Sequence, residues 1–372
     1  MGVTSREADQ IARALAASVP GVVILPEHPD YETARLVWNG YFDKRPTAIV
    51  RCQTTAQVVG TVRFASQAGL LLSIRGGGHS LPGFSTNDGG VVLDLSPMRH
   101  VRIDPEARTA TAEGGCTWAD YDAATQQYGL ASTGGMLSST GIAGLTLGGG
   151  VGWLTRQCGL ACDNLLGAEV VLASGEVVRA SASEEPDLFW GLRGGGGNFG
   201  VVTSFEFRIH PVQQIHGGFL VYPFDRARDV CRAYREFVVD LPDELTTLLS
   251  FANAPLDDSF PAELRGQPAL FIGGCDLGLP AAAEERLRPL RELGPAADFY
   301  PMTSYTDLQK AFDADYPPGQ RHYFKGGMVA AFTDELIDAV VEHIRVRPSQ
   351  RSGLDWPPMG GAFARVPAEA PA

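Results

Sequence analysis

The feature that most constrains this chain is a run of eight glycines within the nineteen residues from Gly134 to Gly152. Glycine weakens helices and strands because its backbone loses more conformational freedom on folding than any other residue. We therefore predict a loop system here, held in place by other parts of the protein. The 44 glycines of the 372-residue chain show no three-residue period, which excludes collagen and indicates dedicated glycine loops.

The chain is acidic, with 43 acidic against 30 basic residues and a net charge of −13. This balance argues against a basic face that binds nucleic acid or an anionic membrane. No stretch reaches the roughly 18 apolar residues of a membrane span, and the acids near Met1 do not fit a signal peptide. We expect a cytoplasmic protein with no nucleic-acid or membrane partner; the sequence leaves the oligomeric state open.

Six scattered cysteines without a C-x-x-C pair favour reduced, buried thiols over a disulfide framework. Cys158 and Cys162 alone are a weak hint of a metal site. None of the seven histidines lies three to five residues from another. We therefore predict no metal centre.

Apolar periodicity predicts a short helix over 5–17 and then a β-α-β unit at 47–51, 54–67 and 70–74. The last strand of the first half, 201–210, ends at Pro211. We therefore divide the chain into an N-terminal helical cap (1–30), a first domain (31–212) and a second domain (213–372). In the second domain, predicted strands (215–222, 246–253, 268–275, 321–330) alternate with predicted helices (225–239, 281–292, 333–345), typical of an α+β domain with a mostly antiparallel sheet.

Other nucleotide-binding and hydrolase motifs are either in the wrong structural context or absent. Gly195 to Gly200 fits G-x-G-x-x-G, but a predicted helix precedes it and a strand follows, the reverse of an NAD site. The P-loop lysine, the G-x-S-x-G elbow and H-E-x-x-H are all missing from the sequence.

The segment Arg75-Gly-Gly-Gly-His-Ser80 follows a predicted buried strand. Consecutive glycines can turn successive N–H groups to one side and form an anion nest suited to a diphosphate, and Ser80 adds a donor. A glycine-rich turn with an incidental histidine is the alternative. These residues alone leave both interpretations open.

Together with three further segments in the same order, this loop resembles the FAD-linked oxidases of the p-cresol methylhydroxylase and vanillyl-alcohol oxidase superfamily, particularly the bacterial berberine-bridge-enzyme-like group. The further segments are Gly134–Arg156, Gly159–Asn164 and Asp187–Thr203. The likeness is strong over 30–212 and loose beyond. It implies an α+β fold, with a two-subdomain FAD-binding domain of the p-cresol methylhydroxylase type followed by an α+β substrate domain.

By this resemblance, His79 matches the histidine that is joined covalently to the flavin 8α carbon. The cofactor-binding residues that the resemblance implies are Arg75, Gly76, Gly77, Gly78, His79, Ser80, Gly141, Gly144, Gly148, Gly149, Gly200 and Val202. Some relatives add a second bond from a cysteine, where this chain has Leu137. We therefore expect FAD with a single covalent bond.

Tyr323 and Lys325 are the candidate catalytic residues, on one face of a predicted strand that is similar to an aromatic-rich, lysine-containing strand of the relatives. Tyr323 would bind or deprotonate the substrate, and Lys325 would stabilise an anionic reduced flavin. A core tyrosine and a solvent-facing lysine are the structural alternative.

We therefore expect an FAD-dependent oxidoreductase that takes a hydride from a small-molecule alcohol or similar C–H donor, a sugar or a secondary metabolite, with O₂ as acceptor. The relatives continue for roughly 80 to 100 residues beyond the point matching Ala372, so we expect their C-terminal return to the FAD domain to be missing here. A flavin-binding protein without turnover and a non-flavin nucleotide-binding module are the alternatives.

Overall fold

The computed structural model describes residues 13–19, 22–367 and 370. Residues 13–18 are helical (α1), and the earlier part of the predicted helix over 5–17 lies outside the described residues. Three main β-sheets follow one another along the chain.

The first sheet has the strand order β1-β2-β4-β3. Its elements are β1 (Val22–Ile24), α2 (Tyr31–Ala34), β2 (Ala48–Arg51), α3 (Thr55–Gln67), β3 (Leu72–Arg75) and β4 (Val91–Asp94). Strands β2 and β3 run parallel to β4, which confirms the predicted β-α-β unit. Strand β1 pairs antiparallel with β2, so this part of the predicted helical cap (1–30) is a strand of the first sheet.

The second sheet is antiparallel, with the order β5-β6-β10-β8-β9. Its strands are β5 (Val101–Asp104), β6 (Thr109–Glu113), β8 (Leu165–Val171), β9 (Val177–Ser181) and β10 (Val201–Arg208), and β7 (Leu130–Ala131) pairs separately with β11 (His210–Pro211). The helices are α4 (Trp118–Thr125), α5 (Ile142–Leu147), α6 (Thr155–Cys158) and α7 (Pro186–Leu192). The glycine run is loop apart from the six-residue helix α5, and a core that includes Trp118, Phe205 and Phe207 supports it.

The third sheet is also antiparallel, in the order β15-β12-β14-β13-β17 with β16 beside β12. Its strands are β12 (Gln214–Pro223), β13 (Leu245–Asn253), β14 (Pro268–Asp276), β15 (Ala297–Phe299), β16 (Met302–Ser304) and β17 (Leu354–Trp356). The helices α8 (Ala227–Phe237), α9 (Pro280–Glu292), α10 (Tyr305–Gln309) and α11 (Asp334–Arg345) accompany it. The mostly antiparallel sheet is as predicted.

The predicted strand at 321–330 is wrong, because these residues form neither strand nor helix. Residues 319–322 form hydrogen bonds with the first domain instead. Gly319 N donates to Trp38 O at 2.9 Å, and Gly40 N donates to Gln320 O at 2.8 Å. The chain here crosses between domains instead of extending the third sheet.

Asp122 lies buried where α4 meets α10, and its hydrogen bond joins the helices that contact the second and third sheets. Its Oδ2 accepts a hydrogen bond from Gln309 Nε2 at 2.9 Å. Asp122 Oδ1, Gln309 Oε1 and the buried hydroxyl of Tyr305 have no partner among the described residues. Burial raises the pKa of Asp122 to about 7, opposed by the Gln309 hydrogen bond. The carboxyl is therefore mainly protonated at mildly acidic pH.

We expect the contribution of Asp122 to the free energy of unfolding to fall as pH rises from about 4 to about 7. In that window the folded protein holds the Asp122 proton, with a pKa of about 7, while the unfolded chain has lost it near the ordinary value of 3.8. Asp122→Asn removes this contribution, so the stability of that variant should depend less on pH than the stability of the wild type. Urea unfolding at about pH 5 and about pH 7 measures the difference. Parallel pH profiles for wild type and Asp122→Asn would contradict this, and the exposed Asp225→Asn is the control.

Candidate functional site

The loop after β3, residues 76–80, presents a row of main-chain donors. Among the described residues, none of its five N–H groups donates to a main-chain carbonyl. Gly78 has a φ of +72°, a left-handed conformation that favours glycine. Successive unpartnered N–H groups in a turn of this kind form a site for an anion. These N–H groups are the candidate donors of the nest, which stays a prediction.

This loop packs backbone to backbone against the glycine run. A Cβ atom on Gly77 would lie 2.4 Å from Gly141 N, and a Cβ on Gly141 would lie 2.4 Å from Gly77 N. A Cβ on Gly76 would lie 2.9 Å from the carbonyl oxygen of Gly114. Gly114 was not singled out by sequence reasoning, although it brings the loop close to Val202, whose oxygen would lie 2.3 Å from a Cβ on Gly114. Three of the predicted cofactor segments thus meet here.

The other predicted glycines differ in what surrounds them. A Cβ on Gly144, in α5, would have no atom within 4 Å, so the backbone there borders open space. The nearest atom to a Cβ on Gly148 would be 3.5 Å away. Gly149 and Gly200 have φ angles of +109° and +153°, which side chains rarely adopt. Gly144 is therefore free of a packing requirement, whereas Gly149 and Gly200 are needed for the course of the backbone.

The Arg75 side chain is buried at the base of the loop. Its guanidinium donates to Asp94 Oδ2 at 2.8 Å and to the carbonyl oxygens of Ala34 at 2.6 Å and Leu36 at 3.3 Å. Arg75 and Asp94 are also opposite each other in the parallel pair β3 and β4. The side chain thus supports the loop by tying two strands to residues 34–36.

His79 lies at the centre of a group of side chains from both domains. Its ring stacks on the indole of Trp38 with centroids 4.7 Å apart, and His322 stacks on Trp38 with centroids 4.3 Å apart. Ser139 Oγ lies 3.1 Å from His79 Nε2. Burial lowers the pKa of His79 to about 4, although the nearby Asp313 carboxylate opposes this shift. The imidazole is therefore neutral near pH 7, and one ring nitrogen keeps a lone pair.

The second domain closes this group through hydrogen bonds. Asn39 Nδ2 donates to His322 O, and His322 N donates to Asn39 Oδ1, each at 3.0 Å. The Trp38 indole N–H donates to Tyr316 O at 3.0 Å. Asp313 accepts from Ser138 N at 2.9 Å and from Ser138 Oγ at 2.5 Å. Sequence reasoning missed these residues because no local pattern marks contacts between distant parts of the chain.

Tyr323 and Lys325 follow His322 on an irregular, exposed segment. Tyr323 is 81% exposed, and the Lys325 ammonium lies 5.8 Å from the centre of the Tyr323 ring. The two side chains are thus neighbours, although the predicted strand that would place them on one face is absent. Their catalytic roles stay predictions.

Comparison with known proteins identifies the family of this chain. A family model described as an FAD binding domain matches residues 46–181, which include His79 and the glycine run. The (R)-6-hydroxynicotine oxidase of Paenarthrobacter nicotinovorans is 36% identical over 298 residues, 78% of this chain and 62% of that protein. The uncharacterized FAD-linked oxidoreductase YgaK of Bacillus subtilis is 30% identical over 356 residues, 93% of this chain and 76% of that protein. The chain belongs to the FAD-linked oxidoreductases.

The structure of this FAD-linked oxidoreductase is similar to that of the carbohydrate oxidase from Microdochium nivale. The TM-score is 0.80 at 26% identity, and the match covers 96% of this chain and 78% of that one. These similarities confirm the predicted fold class of FAD-binding domain and α+β substrate domain. The chain spans 62% of the length of the hydroxynicotine oxidase.

No membrane-crossing helix and no group of three or more potential metal ligands are found among the described residues of this FAD-linked oxidoreductase. Its six cysteines form no disulfide bond with one another in the part of the chain that the structure describes.

Gly141 and Gly144 of this FAD-linked oxidoreductase differ in packing, so alanine should affect stability differently at the two positions. We expect Gly141→Ala to lower stability by about 1–3 kcal/mol or more, because its Cβ would press on Gly77 N at 2.4 Å. Gly144→Ala should keep or raise stability, because its Cβ meets open space within a helix. Thermal unfolding of both variants measures this. A Gly141→Ala protein as stable as wild type would show that the two loops are not in close contact.

Proposed function

We propose that this chain is an FAD-dependent oxidase that accepts a hydride from an alcohol or similar C–H donor, with its flavin bonded covalently to His79. The observation that carries the proposal is a neutral, stacked His79 at the end of a row of unpartnered N–H groups. Membership of the FAD-linked oxidoreductases supports FAD as the cofactor. O₂ is the proposed electron acceptor.

The residues of the site fit the cofactor that the family implies. The N–H groups of residues 76–80 offer donors for the diphosphate, and Ser80 adds a hydroxyl. The open space over Gly144 leaves room for a group against the backbone. Gly141, Gly148 and Gly149 are proposed to lie beside that group. Gly200 and Val202 are proposed to contact the adenine side. Bound FAD would supply a two-electron acceptor.

The chain's own residues would supply the remaining chemistry. A substrate hydroxyl must lose a proton as its hydride leaves, and we propose Tyr323 for binding the substrate or accepting that proton. Lys325 would stabilise negative charge on the reduced ring. Their position one and three residues after His322, which stacks on Trp38, supports this assignment.

The names of two similar proteins suggest two candidate substrate classes. One relative is a hydroxynicotine oxidase and one structural neighbour is a carbohydrate oxidase. We propose a small molecule of one of these classes, a secondary metabolite or a sugar. A flavin-binding protein without turnover is the alternative, because the chain spans only part of these relatives.

We expect His79→Ala to abolish covalent flavin. Acid precipitation of wild type should give a yellow pellet, and its intact mass should include FAD. The His79→Ala protein should release all its flavin into the supernatant. His100→Ala, a change at an exposed histidine, is the matched control and should retain the bond. A His79→Ala pellet that stays yellow would place the bond on another residue.

Turnover is tested separately, by anaerobic mixing of the wild-type protein with hydroxylated pyridine amines and with oligosaccharides. We expect the oxidised flavin absorbance to bleach with one of these classes and to return on admitting air, with hydrogen peroxide formed. Bound flavin that no member of the panel bleaches would favour the alternative without turnover.

A further inference from the structure

We propose that His322 is a positioning residue for His79. It holds the indole of Trp38 against the His79 ring, so that docking of residues 316–322 fixes the side chain that bonds to the flavin. These seven residues, here called the strap, lie between α10 and α11. The inference rests on the proposed covalent attachment at His79. It goes further by making that attachment depend on a part of the chain outside the FAD binding domain match.

Three rings form a continuous stack at this point. The His322 ring lies on the Trp38 indole with centroids 4.3 Å apart and planes 8° apart. The His79 ring lies on the same indole with centroids 4.7 Å apart and planes 18° apart. The indole between them is 5% exposed. The position of the His79 ring is therefore set by an indole that the strap covers in turn.

The main chain before β2 ties the loop after β3 to the strap. On the loop side, Trp38 N donates to Gly78 O, next to His79, at 3.2 Å. On the strap side, Gly319 N donates to Trp38 O at 2.9 Å, and Gly40 N donates to a strap carbonyl at 2.8 Å. One short segment thus bonds to both partners of the stack.

Two side chains of the same segment also bond to the strap. Asn39 Nδ2 donates to His322 O, and His322 N donates to Asn39 Oδ1, each at 3.0 Å. The Trp38 indole N–H donates to Tyr316 O at 3.0 Å. Because the Asn39 side chain fixes the backbone of His322 in both directions, the His322 ring is aimed at the indole.

The His322 ring makes its contacts through its faces. Its Nε2 is buried and has no hydrogen-bond partner among the described residues. Beyond the stack, the rings of Tyr316 and Phe324 lie with centroids 6.0 and 5.8 Å away. A phenylalanine at position 322 would keep the stacking and lose no hydrogen bond of Nε2. The residue is therefore used here as a flat ring.

The stack also keeps His79 neutral. Burial lowers the pKa of His79 to about 4, the Asp313 carboxylate opposes this shift, and the neighbouring His322 adds to it. The pKa of His322 is itself lowered, by burial and by Arg351. A neutral imidazole has a lone pair that can bond to carbon, whereas a protonated one has none. Loss of the His322 ring would admit water to the stack, so the pKa of His79 should rise toward its ordinary value of 6.5.

The attachment balances with O₂ as the oxidant. A C–N bond forms between a ring nitrogen of His79 and the flavin 8α carbon, while one methyl C–H bond and one ring N–H bond break. The two hydrogens and two electrons pass to the flavin ring, and O₂ then removes them as hydrogen peroxide. The lone pair must point at the carbon when the bond forms, and a ring held in one orientation meets this requirement more often than a mobile ring.

The first test follows attachment over time. The chain is produced with limiting riboflavin and mixed with FAD, and the flavin that stays with the acid-precipitated polypeptide is measured. We expect His322→Ala to slow attachment about twofold to tenfold, the effect of one aromatic contact, and His322→Phe to restore the wild-type rate. His343→Ala, a change at an exposed histidine of α11, is the matched control. Attachment by His322→Ala at the wild-type rate, or equal slowing in His322→Phe, would overturn the proposal.

The second test displaces the strap without changing a ring. A Cβ atom on Gly40 would collide with the carbonyl of Gly319, and its three nearest atoms all belong to that residue. Gly40→Ala should therefore undock the strap and slow attachment at least as much as His322→Ala. Gly326→Ala, whose Cβ would meet no atom within 4 Å, is the matched control. A folded Gly40→Ala protein that attaches flavin as fast as wild type would contradict the dependence on the strap.

A third measurement separates this inference from the proposed function. If the wild type attaches no flavin, the proposed covalent attachment has failed, and nitrogen-15 NMR of labelled histidine in the same protein still reports the protonation of His79. At about pH 5.5 we expect a neutral His79 ring in wild type and in His322→Phe, and a more protonated ring in His322→Ala. Asp313 stays bonded to Ser138 in each variant, so its opposing effect is unchanged. Equal protonation of His79 in wild type and His322→Ala would overturn the role of His322.

Discussion

The close contact between Gly77 and Gly141 is the constraint on which the site depends. Either residue with a side chain would force apart two loops that come from different subdomains of the first domain. With two glycines, the main chain after β3 lies directly on the main chain before α5. The unpartnered N–H groups and the open surface over Gly144 are therefore parts of one backbone surface, and side chains contribute mainly His79, Ser80 and Ser139.

The charge of Arg75 is balanced by pairing beneath that surface. The Arg75 guanidinium sits on Asp94 and on two carbonyl oxygens, so its charge is balanced within the protein. His79 is neutral because burial disfavours its charged form. An anion at the loop would thus be held mainly by neutral N–H donors, and its position would be set by the direction of these groups.

Local patterns predicted much of the fold and the outline of the site. Alternation and apolar periodicity suffice for the β-α-β unit and for strands β12 to β14, because most residues of these strands are buried. Residues 321–330 show a similar alternation, yet the residues just before them form hydrogen bonds with residues 38–40. Alternation does not predict a tertiary contact of this kind. The glycine motif indicated residues 75–80, but not that Arg75 pairs with Asp94, which depends on the register of β3 with β4. Trp38, Ser139 and His322 carry no local signal, since only the folded chain brings them to His79.

The position of Trp38 between two imidazoles gives the protein an optical reporter of domain docking. One imidazole belongs to the first domain and the other to the segment between β16 and β17, and the indole N–H is bonded to Tyr316 of that same segment. Moving the segment away would remove one aromatic neighbour and one hydrogen bond, and it would admit water to the indole. The near-ultraviolet circular dichroism of this tryptophan therefore follows the separation of the domains.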